Sequence, residues 1–233
     1  MKKYELTAES IVKFGRTLFR IKALVDFGNV EEGELGGFVE KEGNLDQSGN
    51  AWVSGDARVY GDARVSGDAR VYGDARVYGD ALVYGNAQVY GDAWVYGNAQ
   101  VYGDALVSGD ALVYGNAQVS GDAWVSGDAL VYGNAQVSGD AQVSGNAVVS
   151  GDAQIFKMSH YVVAGPLGSR DDFTTFFRTK HHTIGVKCGC FRGNTDELLK
   201  AVETVHGDNK HAQAYKAAVD LAKLQIDLSE YPL

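Results

Sequence analysis

A six-residue repeat constrains the fold of this chain more than any other feature. Eighteen consecutive copies of Gly-[Asp/Asn]-Ala-x-Val-[Tyr/Ser] run without insertion from Gly49 to Phe156, and a degenerate copy, Gly43 to Ser48, leads in. A short fixed period is typical of a solenoid, in which each unit stacks on its neighbours. Most of the thirty glycines belong to this repeat, and its period of six excludes a collagen fold.

Alternation inside each hexad predicts which side chains face the interior. Ala and Val alternate with x and Tyr/Ser, so Ala and Val point inward and the other pair points outward. Gly and Asp/Asn predict a corner, because these residues tolerate positive φ. The pattern, as in Val53-Ser-Gly-Asp-Ala57, resembles the hexapeptide-repeat left-handed parallel β-helix family. Three hexads make one triangular coil in that family, so the resemblance implies about six coils.

We therefore expect a mainly β fold with three parts. Residues 1–42 form an N-terminal β-hairpin cap over the open end, with strands on either side of Gly15. Residues 43–156 form the left-handed parallel β-helix. Residues 157–233 form a small C-terminal α+β head domain.

The head is expected to contain three strands and two helices. Asn194-Thr-Asp-Glu197 is a capping box that opens the first helix, Gly207 ends that helix, and Asp208 caps the second. The second helix presents Tyr215, Ala218, Val219, Ala222 and Ile226 on one face. The three strands are expected at Tyr161 to Ala164, Phe173 to Thr179 and Thr183 to Phe191.

The negative charge of the chain comes from the repeat corners. The net charge is −9, and residues 43–156 alone carry four Lys/Arg against thirteen Asp/Glu. Twelve of these acids occupy the second hexad position. This distribution argues against nucleic acid binding on the repeat, which needs clustered Lys/Arg. The stacked corner carboxylates suggest Ca²⁺ as an alternative to solvated turns, and we favour solvated turns.

One outward face of the repeat is rich in tyrosine. Folding the run in threes brings together the residues that we expect to form a self-association face: Tyr60, Tyr78, Trp94, Tyr96, Leu112, Tyr114, Leu130, Tyr132 and Val148. Such a patch is large for a monomer, and interfaces favour Tyr and Trp. A parallel homotrimer is the simplest assembly, as this fold family commonly forms. The alternative is that stacked Tyr residues simply suit β ladders.

The repeat lacks the residue that its catalytic relatives use. Many members of the family resemble acyltransferases with a histidine general base in a coil, yet residues 1–156 contain no histidine. The chain has neither an N-terminal apolar signal segment nor an apolar stretch of membrane-spanning length, so we expect a cytoplasmic protein without membrane contact. We expect no enzymatic activity and no cofactor, with acyltransferase-like activity as the main catalytic alternative.

The head resembles a C-terminal module of phage and prophage proteins, which implies a mobile-element origin and the host cytoplasm as location. The resemblance rests on Gly165-Pro-Leu-Gly-Ser-Arg170, Thr174-Thr-Phe-Phe-Arg-Thr179, Cys188-Gly-Cys-Phe191 and Val205-His-Gly207. A glycine-rich loop that ends in arginine can hold an anion through backbone N–H groups. Candidate ligand-binding residues are Gly165, Gly168, Ser169, Arg170, Thr174, Thr175 and Arg178. A tight turn between strands is the alternative.

The remaining chemistry-bearing residues of the head give weak signals. Cys188 and Cys190 share the face of Ile184 and Val186, so we interpret them as core residues. They lie too far apart along a strand for a relaxed disulfide. Without a second paired motif we expect no zinc site with His206 or His181. The expected function is an oligomeric phage-type binding protein whose heads hold a host protein or a small anionic, nucleotide-like ligand; the alternative is a virion or appendage spacer.

Overall fold

The first three strands build an antiparallel unit that continues into the solenoid. The computed structural model describes residues 2–229. Strand β1 (Tyr4–Lys13) pairs with β2 (Arg16–Ala23) around a turn in which Phe14 and Gly15 both have positive φ. Strand β2 also pairs antiparallel with β3 (Leu35–Val39). The sequence predicts that Leu35 to Glu40 leads into the first coil; β3 itself runs parallel to Arg58–Val59 and begins that coil.

Each hexad forms one short strand and one glycine corner. Strand β3 and every third strand from Arg58–Val59 to Val148–Gly151 form one parallel face of seven strands, and two further faces contain six strands each. The solenoid therefore has about seven turns rather than six, because β3 supplies one more. In chain order, β4 to β21 are Trp52–Val53, Arg58–Val59, Arg64–Val65, Arg70–Val71, Arg76–Val77, Leu82–Val83, Gln88–Val89, Trp94–Val95, Gln100–Val101, Leu106–Val107, Leu112–Val113, Gln118–Val119, Trp124–Val125, Leu130–Gly133, Gln136–Val137, Gln142–Val143, Val148–Gly151 and Gln154–Ile155.

The solenoid interior consists almost entirely of the repeat Ala and Val side chains. From Ala69 to Val149 every one of these side chains is fully buried, as the alternation predicts. The corners need glycine for two reasons, shown by Gly97: its φ is +69°, and a Cβ there would lie 3.1 Å from the Gly115 nitrogen of the next coil. The predicted mainly β solenoid fold is confirmed.

Backbone hydrogen bonds give the solenoid a polarity. Each coil donates N–H groups to carbonyls seventeen residues later, as in Trp94 to Ala111 at 2.9 Å. The first coil is therefore left with unpaired carbonyls, and the last coil is left with unpaired N–H groups. At the first coil, the buried Lys3 ammonium donates to the carbonyls of Ser48, Gly49 and Ala51.

Acceptors of the C-terminal region cover the last coil. The Thr175 hydroxyl accepts from the Val148 N–H at 2.8 Å, and His160 Nδ1 accepts from the Phe156 N–H at 3.1 Å. Thr179 forms an antiparallel bridge with Ala153. Both ends of the solenoid are thus closed by groups of the matching hydrogen-bonding type.

The head packs an antiparallel sheet against two helices. The sheet has four strands, one more than predicted: β22 (Tyr161–Leu167), β23 (Asp172–Arg178), β24 (Ile184–Cys188) and β25 (Phe191–Asn194). The helices are α1 (Thr195–His206) and α2 (Lys210–Gln225). Short 3₁₀ turns span Glu42–Asn44, Met158–His160 and Gly168–Arg170.

The helix boundaries of the head agree with the sequence at all but one point. Asn194 and Glu197 form the capping box of α1, and Gly207 follows its end with positive φ. The cap of α2 is Asn209, not Asp208, because the Asn209 side chain accepts from two backbone N–H groups. Asp208 instead pairs with Lys216 at 3.2 Å. Within residues 2–229, no helix is long and apolar enough to cross a membrane.

Candidate functional site

A cleft opens in the head between the Gly168–Arg170 turn, the β24–β25 turn and the two helices. It has a volume of about 310 Å³. The apolar wall comes from α1, together with Phe191. The polar and ionisable groups that line it are Ser169, Arg170, Asp172, Cys188, Cys190, His206 and Tyr215. A cleft with an apolar wall and a few polar groups is typical of small-molecule sites.

Gly168 fixes the geometry of one end of the cleft. Its φ is +74°, and a Cβ at this position would lie 2.5 Å from the Tyr215 hydroxyl. Only glycine therefore allows the turn to approach the α2 tyrosine. Ser169 and Arg170 follow at the exposed edge, and within residues 2–229 no carboxylate lies within 4 Å of the Arg170 guanidinium.

Tyr215 and Cys188 form the floor of the cleft. The Tyr215 hydroxyl lies 3.5 Å from the Cys188 thiol. Burial, and then the hydrogen bond with Cys188, raises the pKa of Tyr215, so this phenol is a neutral hydrogen-bonding group at ordinary pH. The His206 ring lies 6.2 Å from the Tyr215 ring and 5.5 Å from that of His211. The floor thus offers aromatic surface and hydrogen-bonding groups.

Two of the seven predicted ligand-binding residues, Ser169 and Arg170, line this cleft. Gly168 precedes them and lies against Tyr215. Thr174, Thr175 and Arg178 do not line the cleft, because all three are fully buried in β23. Thr175 caps the last coil, and Arg178 donates to the Gln154 side chain and the Ser229 carbonyl.

Gly165 also lies outside the cleft. It belongs to β22, where a Cβ would contact Phe173. The sequence grouped these residues because they are close along the chain, but a strand carries them away from the turn at about 3.3 Å per residue. The predicted anion loop is therefore reduced to its last two residues, Ser169 and Arg170.

The sequence did not predict that the turn at Gly189–Cys190 and the side chain of Tyr215 line the cleft. Gly189 has positive φ and, with Cys190, makes the β24–β25 turn, so Cys190 is exposed instead of sharing the inward face of β24. The sequence did contain one signal of this turn: Gly189 lies inside the predicted nine-residue strand, and a glycine within a strand pattern indicates an irregularity. No cluster within residues 2–229 has the His, Cys, Asp and Glu groups that would hold a metal ion.

The tyrosine face has the predicted order, with one correction. Tyr60, Tyr78, Tyr96, Tyr114 and Tyr132 stack with ring centroids 4.9 Å apart and planes within 6°. Tyr60 is only 8% exposed, because it packs under Phe14, Leu18 and Phe38 of the N-terminal unit. The N-terminal unit therefore already covers Tyr60, and the exposed part of the face begins at Tyr78.

The rest of this face lies between the N-terminal unit and the head. Its apolar and aromatic outward residues, each partly exposed, are Tyr78, Trp94, Tyr96, Leu112, Tyr114, Leu130, Tyr132 and Val148. Arg76 lies in the same outward row, with its guanidinium over the Trp94 ring. At the end of this face nearest the head, a hollow of about 400 Å³ lies between the face and Phe173. Mutual stacking already covers part of each ring, which agrees with the ladder interpretation and leaves the outer edges exposed.

Comparisons with known proteins bear on the solenoid. The repeats match the YdcK beta-solenoid repeat model. The matches are residues 51–67, 57–73, 63–77, 69–85, 75–91, 87–103, 99–115, 107–121, 117–133, 123–139 and 141–155. Most matched stretches span about one coil, and together they cover just under half of the chain. A comparison with curated proteins found no match. The similarity supports the solenoid and leaves the head as the part from which function must be argued.

Proposed function

We propose that the protein is a non-enzymatic binding protein of phage or prophage type, in which the head cleft holds a small ligand. The observation that carries this proposal is the position of Arg170 beside an apolar and aromatic wall; among residues 2–229 no carboxylate lies within 4 Å of its guanidinium. Arginine recognises planar anionic groups such as phosphate and carboxylate. Phe191 and Tyr215 provide surface for a flat organic group. The ligand class that fits best is therefore a nucleotide-like molecule.

Self-association of the solenoid is the second part of the proposal. Eight partly exposed side chains on the tyrosine face are apolar or aromatic, and Arg76 adds one charge at the end nearest the N-terminal unit. We propose that a second and a third copy cover them in a homotrimer with cyclic symmetry. Such an assembly would present several identical heads to the host cytoplasm, an arrangement that favours sequestration of a ligand.

A ligand panel tests the binding site. Thermal unfolding of the full chain is measured with adenosine and guanosine monophosphates and with cyclic dinucleotides. A saturating ligand raises Tm, because it binds only the folded state. Arg170→Gln should abolish the rise, whereas Lys200→Gln should retain it, since it removes one charge from the exposed surface of α1. An unchanged Tm across the panel, or equal responses of both variants, contradicts the proposal.

A structural spacer is the second candidate function. It is favoured by one observation, the uninterrupted rod that is closed at both ends by hydrogen-bonding caps. A spacer would assemble through the tyrosine face but would bind no small molecule. If a host protein co-purifies with the head, that protein and not a small molecule is the ligand of the head. The proposed homotrimer is unaffected by that result. Turnover of acetyl-CoA dependent on His206 would contradict the non-enzymatic account.

A further inference from the structure

A polar cavity lies far from the head, where the loop between β2 and β3 crosses the solenoid. Its volume is about 440 Å³. The loop supplies one wall, and the solenoid face that contains β4, β7 and β10 supplies the other. The lining residues are Asn29, Trp52, Ser54, Arg70, Tyr72 and Gln88.

The loop is held rigidly above this cavity. Phe27 and Val30 exchange two backbone hydrogen bonds, at 3.0 and 2.9 Å, across the Gly28–Asn29 turn. The Phe27 ring packs edge-on against Trp52 with centroids 5.4 Å apart. Trp52 is only 2% exposed, so it forms a fixed inner wall. The cavity therefore exists before any ligand arrives, which lowers the entropic cost of binding.

The charge of the cavity is unusual for this chain. None of its six lining residues is acidic, although the whole chain carries a net charge of −9. Within residues 2–229, no carboxylate lies within 4 Å of the Arg70 guanidinium. Arg64 occupies the same hexad position one face away, but Glu42 and Asp46 line its surroundings. Among the residues that line the two cavities, Arg64 therefore has acidic neighbours and Arg70 has none.

The uncharged groups of the cavity offer further donors. The Tyr72 hydroxyl donates to the Gln88 Oε1 atom at 3.2 Å. This bond occupies the amide oxygen of Gln88 and leaves its NH₂ group as a donor. The Ser54 hydroxyl and the Asn29 amide also line the cavity, from the solenoid wall and the loop wall respectively. A guanidinium surrounded by neutral donors matches the hydrogen-bonding needs of an oxyanion.

We propose that this cavity is a second binding site that takes a small oxyanion, a phosphate or carboxylate group, on Arg70. The ion pairs with the guanidinium, and Gln88, Ser54 and Asn29 supply the remaining hydrogen bonds. The site is independent of the head cleft, because its residues come from the loop after β2 and from strands β4, β7 and β10 with their following corners.

Titration calorimetry of the full chain tests this site with sodium phosphate and sodium acetate at constant ionic strength. Arg70→Gln should weaken binding about tenfold or more, since a charge-assisted hydrogen bond to an anion is lost. The fold tolerates this change, because Gln88 and Gln142 already occupy the same outward row. Arg64→Gln is the matched control, in a row that contains Gln100 and Gln118, and should bind within twofold of the parent.

The outcomes distinguish binding at this site from binding in the head cleft and from non-specific electrostatic effects of the anions. Arg170→Gln should leave the affinity for both anions unchanged. Saturable binding that is lost only in Arg70→Gln supports the site, and the stronger of the two probes identifies the anion class. Equal weakening by Arg64→Gln, unchanged binding in Arg70→Gln, or no saturable binding of either anion overturns the proposal.

Discussion

Replacing Thr175 with valine tests how the head closes the solenoid. In the regular coils, an N–H such as that of Leu130 donates to a carbonyl of the next coil, Ala147. Val148 begins the last strand of its face, and the Thr175 hydroxyl accepts its N–H at 2.8 Å. Valine has nearly the same shape as threonine, so Thr175→Val removes the acceptor without changing the volume.

The magnitude follows from the unsatisfied donor. A buried N–H without a partner costs about 1–3 kcal/mol, and Thr175 is fully buried, so we expect Thr175→Val to lower the free energy of unfolding by that amount. Thr174 is a matched control: it is equally buried, and its hydroxyl has no partner within residues 2–229. Thr174→Val should be neutral or stabilising by up to about 2 kcal/mol, because it replaces an unsatisfied polar atom with a methyl group.

Two measurements check this pair of variants. Urea unfolding gives the change in stability, and hydrogen exchange of the segment that contains Val148 gives the local effect. We expect lower stability and faster exchange for Thr175→Val, and unchanged or slower exchange for Thr174→Val. Equal effects of the two substitutions would refute the capping role, because the two sites differ in that hydrogen bond.

Three further predictions concern the caps and the corners. Lys3→Met should lower the free energy of unfolding in urea by about 1–3 kcal/mol, because three carbonyls of the first coil lose the hydrogen bonds of the Lys3 ammonium. Lys2 is exposed, so Lys2→Met should change that free energy by less than about 1 kcal/mol. Gly97→Ala should lower Tm, since it forces positive φ on a Cβ-bearing residue near the next coil, whereas Gly43→Ala has open space and should not. Burial lowers the pKa of His160 to about 4, so the unfolded chain, with a pKa near 6.5, takes up the proton first as pH falls. Stability should be fully present above about pH 6.5 and decline toward pH 4, and His160→Asn should flatten this slope in urea titrations.

The solenoid could be predicted in detail because its information is local. Each hexad carries its own corner glycine and inward Ala and Val, so one copy such as Val53 to Ala57 defines the rest. The extra coil could not be predicted, because Leu35–Val39 lacks the repeat pattern and joins the sheet only through pairing with Arg58–Val59. The burial of Tyr60 has the same origin, since Phe14 reaches it through hairpin packing.

The candidate site depended on long-range packing, which the sequence does not display. The turn at Gly168–Arg170 was recognisable from its glycines. Its partner Tyr215 lies almost fifty residues away, and only the packing of α2 on the sheet brings the two together. Arg178 shows the opposite error, because a charged residue beside a glycine-rich loop turned out to be buried against Gln154.

Native mass spectrometry of the protein purified from cells tests the central claim most directly, because it reports assembly and bound ligand together. The account predicts an assembly that is a multiple of 24.9 kDa, with an additional small mass for each subunit. Arg170→Gln should lose the additional mass and keep the assembly, whereas Leu130→Glu should yield monomers. A wild-type monomer would contradict the assembly, and an assembly without bound mass and without a thermal response to the nucleotide panel would contradict the binding function.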